Sequence, residues 1–153
     1  MRLAAPLFSL LLPLSAMAQP PAVYVRAAKA PFEASYQKVH AALEAARFYV
    51  VFEADIGGNL RGMKDKLGAD YNKQGLEQIK VLVICNARYA NAVGNLDPDL
   101  LSFCPLRVAM THKQGETRAL FERPTVAAKG SPAEAVLREV EQGVIAAIES
   151  GLK

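Results

Sequence analysis

The sequence predicts an α+β fold in which an antiparallel-rich sheet carries helices on one face, with a β-α-β-β-β-β-α core. Three observations carry this. Short β-branched or alternating runs recur along the chain. Amphipathic segments of helical period stand near both ends of the chain. One pair of strands is joined by a turn short enough for a hairpin.

Before the first strand comes MRLAAPLFSLLLPLSAMAQPP. Arg2 gives a positive start, Leu3 to Leu14 form a short apolar core, and Ala16-Met17-Ala18 is a small-x-small cleavage site. Pro6 and Pro13 argue against a buried helix, since each removes a helical hydrogen bond and clashes with the turn before it. Residues 1–18 are therefore expected to be a secretory signal peptide cleaved after Ala18, which places the mature protein in the periplasm or outside the cell. No cysteine at the cleavage site offers a lipid anchor, and no second apolar run reaches the roughly 18 residues of a membrane span.

Taking 18 residues from 153 leaves 135, enough for one domain with a full core. The expected division is a segment 19–30 with the first strand, then a single α+β domain over 31–153. Within it, AVYVRAA (Ala22 to Ala28) alternates as a strand. In FEASYQKVHAALEAAR, residues Phe32, Tyr36, Val39, Leu43 and Ala46 fall at helical spacing, so an amphipathic helix is expected to end near Arg47. FYVVFEAD (Phe48 to Asp55) is β-branched and aromatic, hence a strand. The polar, five-glycine segment IGGNLRGMKDKLGADYNKQG reads as a long loop with one helical turn around Met63 to Leu67. Loops of this length in a compact domain are often functional.

IKVLVIC (Ile79 to Cys85) is almost wholly apolar and predicts a central strand covered on both faces. Asn86 then caps a short helix in NARYANAV, and Asp97-Pro98 suits a turn. Leu106 to His112 and Thr117 to Arg123 flank a turn containing Gly115, which is the clearest hairpin in the chain. Ser131, Pro132 and Glu134 read as N-cap, first helical residue and capping-box partner of a last helix. Val136, Leu137, Val140, Val144, Ala147 and Ile148 line its apolar face.

Composition excludes some functions. Without Arg2 the chain holds 17 basic residues (18 less one) against 15 acidic ones, and the basic residues are scattered, so a nucleic-acid role has no support. No G-x-S-x-G, H-E-x-x-H or phosphate-binding glycine loop is present, and GGNLRGMKDKLG lacks the G-K-[ST] of the last. Catalysis is not expected. Glu53 and Asp55, alternating at a strand end, fit a solvated edge.

Cys85 and Cys104 are the only cysteines. In an oxidising compartment an even count suggests a disulfide, and closing a loop of this size contributes roughly 3 kcal/mol in the chain-entropy model. Two inert buried thiols, or a ligating or redox pair, are the alternatives, though the spacing is not C-x-x-C. In CPLRVAMTH, the residues Cys104, Leu106, Val108, Met110 and His112 share a face of a regular strand. Met, His and Cys suit copper or haem iron, which makes Met110 and His112, with His40 on the first helix, candidate haem ligands. Cys104 and Met110 stand about 20 Å apart along an extended strand, too far for one metal. The plainer reading makes Met110 core filling, His112 a hairpin end and His40 a half-buried packing residue. No metal is assigned.

One run of features is familiar as a whole: FYVVFEADIGGNL, a strand ending in Cys85-Asn86, the helix ARYANAV, the segment LDPD, and Cys104-Pro105 ahead of a new strand. Their order resembles the bacterial domain-of-unknown-function family 302, over about Phe32 to Leu152. The resemblance implies a TATA-binding-protein-like α+β fold, commonly dimeric, with no established enzymatic activity. The expected function is thus an exported, non-catalytic binding module, a homodimer holding a small ligand or a cofactor such as haem, with a link to redox chemistry. The alternatives are a disulfide-stabilised structural or partner-binding module, and a thiol redox protein of sulfur-compound oxidation.

Overall fold

The computed structural model describes residues 21–153; the expected signal peptide over 1–18 lies outside them. Five strands form one sheet in the order β1-β5-β4-β3-β2, antiparallel throughout: β1 (Val23–Ala28), β2 (Tyr49–Asp55), β3 (Gln78–Cys85), β4 (Leu106–Lys113) and β5 (Glu116–Glu122). Helix α1 (Phe32–Ala45) joins β1 to β2. Short helices α2 (Ile56–Gly62) and α3 (Lys64–Leu67) with a 3₁₀ turn over Gly68–Asp70 lead to β3. Helix α4 (Ala87–Leu96) and a 3₁₀ helix (Pro98–Phe103) lead to β4. A one-turn α5 (Pro124–Ala127) precedes the long α6 (Glu134–Gly151). The β-α-β-β-β-β-α core is the expected one. β1 pairs with β5 along its whole length and forms one edge of the sheet.

Local chemistry explains most elements. Asn86 Oδ1 accepts from the backbone N–H of Arg88 and Tyr89, while its Nδ2 donates to the Arg47 carbonyl, so one side chain starts α4 and ties it to the end of α1. The β4–β5 hairpin turns on Gln114 and Gly115 at φ 50° and 79°, the pair of left-handed residues that a two-residue turn of matching twist requires. The long polar segment is more helical than expected, because Asp55 Oδ1 accepts from the Gly58 N–H at 2.7 Å and starts α2 despite its glycines. The start of α6 also differs from a capping box. Ser131 Oγ accepts from Ala133 N and donates to Asp97, whereas Glu134 takes the N–H of Gly130.

Helices α1 and α6 lie side by side on one face of the sheet. Between helices and sheet sits a core of Tyr36, Val39, Leu43, Leu82, Ile84, Val108, Met110, Phe121, Val144 and Ile148, with Phe32 and Phe48 at its ends. The two helices nearly touch at Gly151, where a Cβ would stand 2.7 Å from the Cα and N of Val39. Glu141 of α6 is buried as well, and it accepts from Arg123 and from the Thr125 hydroxyl at 2.5 Å each.

Among the described residues nothing comparable covers the other face. β3 lies inside the sheet, but only Leu82 and Ile84 are buried; Ile79, Val81 and Val83, pointing the other way, are half-exposed. The strand expected to be covered on both faces is covered on one. Its neighbours β2 and β4 both run antiparallel to it, so no parallel crossover is needed across the outer side. On edge strand β2, Tyr49, Val51 and Phe52 are 53%, 58% and 63% exposed.

Candidate functional site

The side chains singled out in the sequence fall in three places. Met110 is wholly buried on the inner face of β4, among core residues, with no surface to offer a ligand. His112, two residues on, sits at the end of the same face. Its Nδ1 lies 2.8 Å from Thr117 Oγ1, whose own proton goes to the Ala30 carbonyl. With that proton committed, Nδ1 is the donor to Thr117, and Nε2 stands 3.7 Å from Glu77. The ring also meets Phe32 edge-on, with centroids 6.2 Å apart.

His40 stands two helical turns along α1 from Phe32, about 12 Å by the helical rise. It faces Glu53 at 3.7 Å. The other Glu53 oxygen accepts from the Tyr36 hydroxyl at 2.5 Å. Burial first, then the hydrogen bond to Glu53 and its charge, hold the Tyr36 phenol well above its ordinary 10.0. Lys80 of β3 closes the cluster: its ammonium lies 4.8 Å from the Tyr36 ring centroid, 5.8 Å from that of Phe32 and 3.4 Å from Glu33. Glu53, read from sequence as a solvated edge, faces the helices. A bulge between Val50 and Phe52 resets the alternation of β2, so Val50 and Glu53 both point inward.

This inner-face cluster joins phenol and carboxylate by a hydrogen bond and sets the His40 imidazole beside the same carboxylate. Its hydroxyls are committed as donors: Tyr36 to Glu53, Ser35 to the Pro31 carbonyl and, near His112, Thr117 to the Ala30 carbonyl. His40 and His112 stand at opposite ends of it and Met110 is sealed in the core, so the three do not form a haem-ligand set. Among the described residues, no group of three or more His, Cys, Asp or Glu side chains is arranged to hold a metal ion.

Cys85 and Cys104 are free thiols, so the expected disulfide is not formed. Both border one small apolar cavity of about 20 Å³, with Phe48, Tyr89, Phe103 and Leu137 among its walls. Burial, and secondarily the neighbouring Cys85, raise the Cys104 thiol. A raised pKa lowers the thiolate fraction and with it the reactivity that redox cycling needs.

The larger concavities open on the uncovered face of the sheet. One, of about 390 Å³, is lined by Val83, Phe103, Pro105, Arg107 and Glu122. The other, of about 510 Å³, lies at the hairpin end, where Thr111, Lys113, Arg118 and Leu120 of β4 and β5 meet Lys29 and Leu76. Sequence reasoning missed this grouping. Lys113 and Arg118 come from neighbouring strands, and Lys29 and Leu76 join them only through the pairing of β1 with β5 and the fold of the loop before β3.

The model of the domain of unknown function DUF302 matches residues 23–151. None of the curated proteins compared matches the chain. The crystal structure of an uncharacterized conserved DUF302 protein from Bacillus stearothermophilus superposes with a TM-score of 0.73 at 16% identity, covering 86% of this chain and 98% of that one. At that identity the likeness speaks for the fold. The family match spans nearly all of the described chain, and the protein belongs to the DUF302 family.

Proposed function

We propose that the protein is an exported, non-catalytic binding module that acts as a homodimer and uses the uncovered face of its sheet as the working surface. The carrying observation is that face. Tyr49, Val51 and Phe52 on edge strand β2 are more than half exposed, and Val23 and Val25 on the opposite edge are 43% and 41% exposed. An apolar surface of this extent on an exported protein is a place for a partner, and a second copy is the partner the family resemblance implies. The two open concavities on the same face give a small ligand somewhere to lie. A non-catalytic reading is supported by hydroxyls already committed as donors to Glu53, Pro31 and Ala30 and by a Cys104 thiol whose pKa burial raises. Among the described residues no helix is long and apolar enough to cross a membrane.

The mass in solution of the secreted, processed chain tests this reading. It predicts twice the monomer mass for the wild type and the monomer mass for Phe52→Glu. A wild-type monomer at every concentration overturns it. The haem form of the reading rests on His112 Nε2 alone, and absence of a Soret band after haem supplementation removes it.

A further inference from the structure

We propose that the hairpin-end groove of the outer face binds a small organic anion carrying two or more negative charges and an apolar body. The inference deepens the reading of that face as the working surface and adds the chemical class of ligand.

The two concavities differ in charge. In the smaller one Arg107 is paired with Glu122 at 3.4 Å, so its lining is close to neutral. The larger is lined by Lys29, Lys113 and Arg118 against the single carboxylate of Glu116, and none of the three cations has a carboxylate within salt-bridge distance among the described residues. Three cations converging on one concave surface raise a positive potential there and draw in an anion. Arg118 offers the fork that binds carboxylate or phosphate through two parallel hydrogen bonds, and the lysines add charge without directional demand. Leu76 and Leu120 supply apolar surface, and Thr111, Gln74 and Gln114 neutral hydrogen-bonding groups. A volume of about 510 Å³ suits a small molecule.

The groove is also held in shape. Asn72 grips the loop that carries Gln74 and Leu76, donating to the Leu76 carbonyl at 2.7 Å and accepting its N–H at 3.0 Å. Glu77 N–H donates to the His112 carbonyl, and the Glu77 carboxylate accepts from Gln114 N–H, so loop and hairpin turn are tied together. Arg118 stands opposite Thr111 on β4 and Ala27 on β1, in the middle of three paired strands. A pre-formed site loses less on ordering when ligand arrives.

Calorimetric titration of the secreted, processed protein with phthalate and with phenyl phosphate tests the proposal and separates a carboxylate from a phosphate ligand. At least one is expected to bind, more weakly as salt is added, with benzyl alcohol inert. Arg118→Gln and Lys113→Gln, both at exposed positions, are each expected to weaken binding about tenfold, roughly 1.4 kcal/mol, without change in Tm. Binding retained by Phe52→Glu shows that the groove works whether or not the protein dimerises. No binding of either anion to the wild type, or binding indifferent to both charge-removing variants, overturns the proposal while leaving the dimer reading to stand or fall on its own mass measurement.

Discussion

The two faces of the sheet differ in chemistry and in what covers them. On the inner side Leu82, Ile84, Val108, Met110, Ala119 and Phe121 are at most 1% exposed beneath α1 and α6. Alternate residues of the same strands, Val81, Val83, Ala109 and Leu120, stay half-exposed on the outer side. The comparison teaches that an apolar run in a strand does not by itself say which of its faces the fold covers. It also separates polar chemistry by purpose. Inside, Tyr36, Glu53, His40, Lys80 and Glu33 partner one another; outside, Lys29, Lys113 and Arg118 have no carboxylate within salt-bridge distance among the described residues.

The sharpest way to break the comparison is to truncate one aromatic on each face. Phe121→Ala is expected to lower stability by about 3–5 kcal/mol. Phe52→Ala is expected to change the stability of the isolated chain by no more than about 0.5 kcal/mol. Denaturant titration of both variants under conditions that keep the chain monomeric checks this, and equal losses would show that the faces are not distinct. Next in size is the contact that holds the helical layer together. A side chain at Gly151 meets the backbone of Val39, so Gly151→Val is expected to cost about 1–3 kcal/mol, read as a fall in Tm, while Gly62→Ala, with open space around it, should leave Tm nearly unchanged.

A smaller effect concerns the inner polar cluster and pH. The folded state keeps the Tyr36 proton at pH values where the unfolded chain, with an ordinary phenol near 10.0, releases it. The stability this confers is whole below pH 10 and drains as pH rises toward the raised folded value. Tyr36→Phe should therefore lose stability less steeply above pH 10 than the wild type, and ultraviolet titration should show one tyrosine that ionises only as the protein unfolds. The smallest effect is at the thiols. With its pKa raised by burial, Cys104 should react with a disulfide reagent at neutral pH more slowly in the folded protein than in denaturant. Equal rates would show that the cavity is open.

Much of the fold was legible because local signals and global architecture agree. Asn86 before ARYANAV, Gln114-Gly115 between two alternating runs, and the apolar stripe of α1 each point to the element that forms. What was not legible turned on pairing between distant strands. The bulge that turns Glu53 inward has no mark in FYVVFEAD, and the coverage of β3 depends on where the helices lie rather than on IKVLVIC itself. Lys80, a charge inside an apolar run, was the one hint of an inner polar cluster. Met110 and His112 do share a face as read, but burial separates their roles: one fills the core and the other caps its end.

Amide hydrogen exchange of the wild-type protein, followed from dilute to concentrated solution, tests most directly whether the uncovered face is the working surface. The account predicts that protection along β2, from Tyr49 to Ala54, and on the outward positions of β3 rises with concentration, while the amides of α1 and α6 stay as they are. Protection that is the same at every concentration in β2 and β3 alike would contradict it.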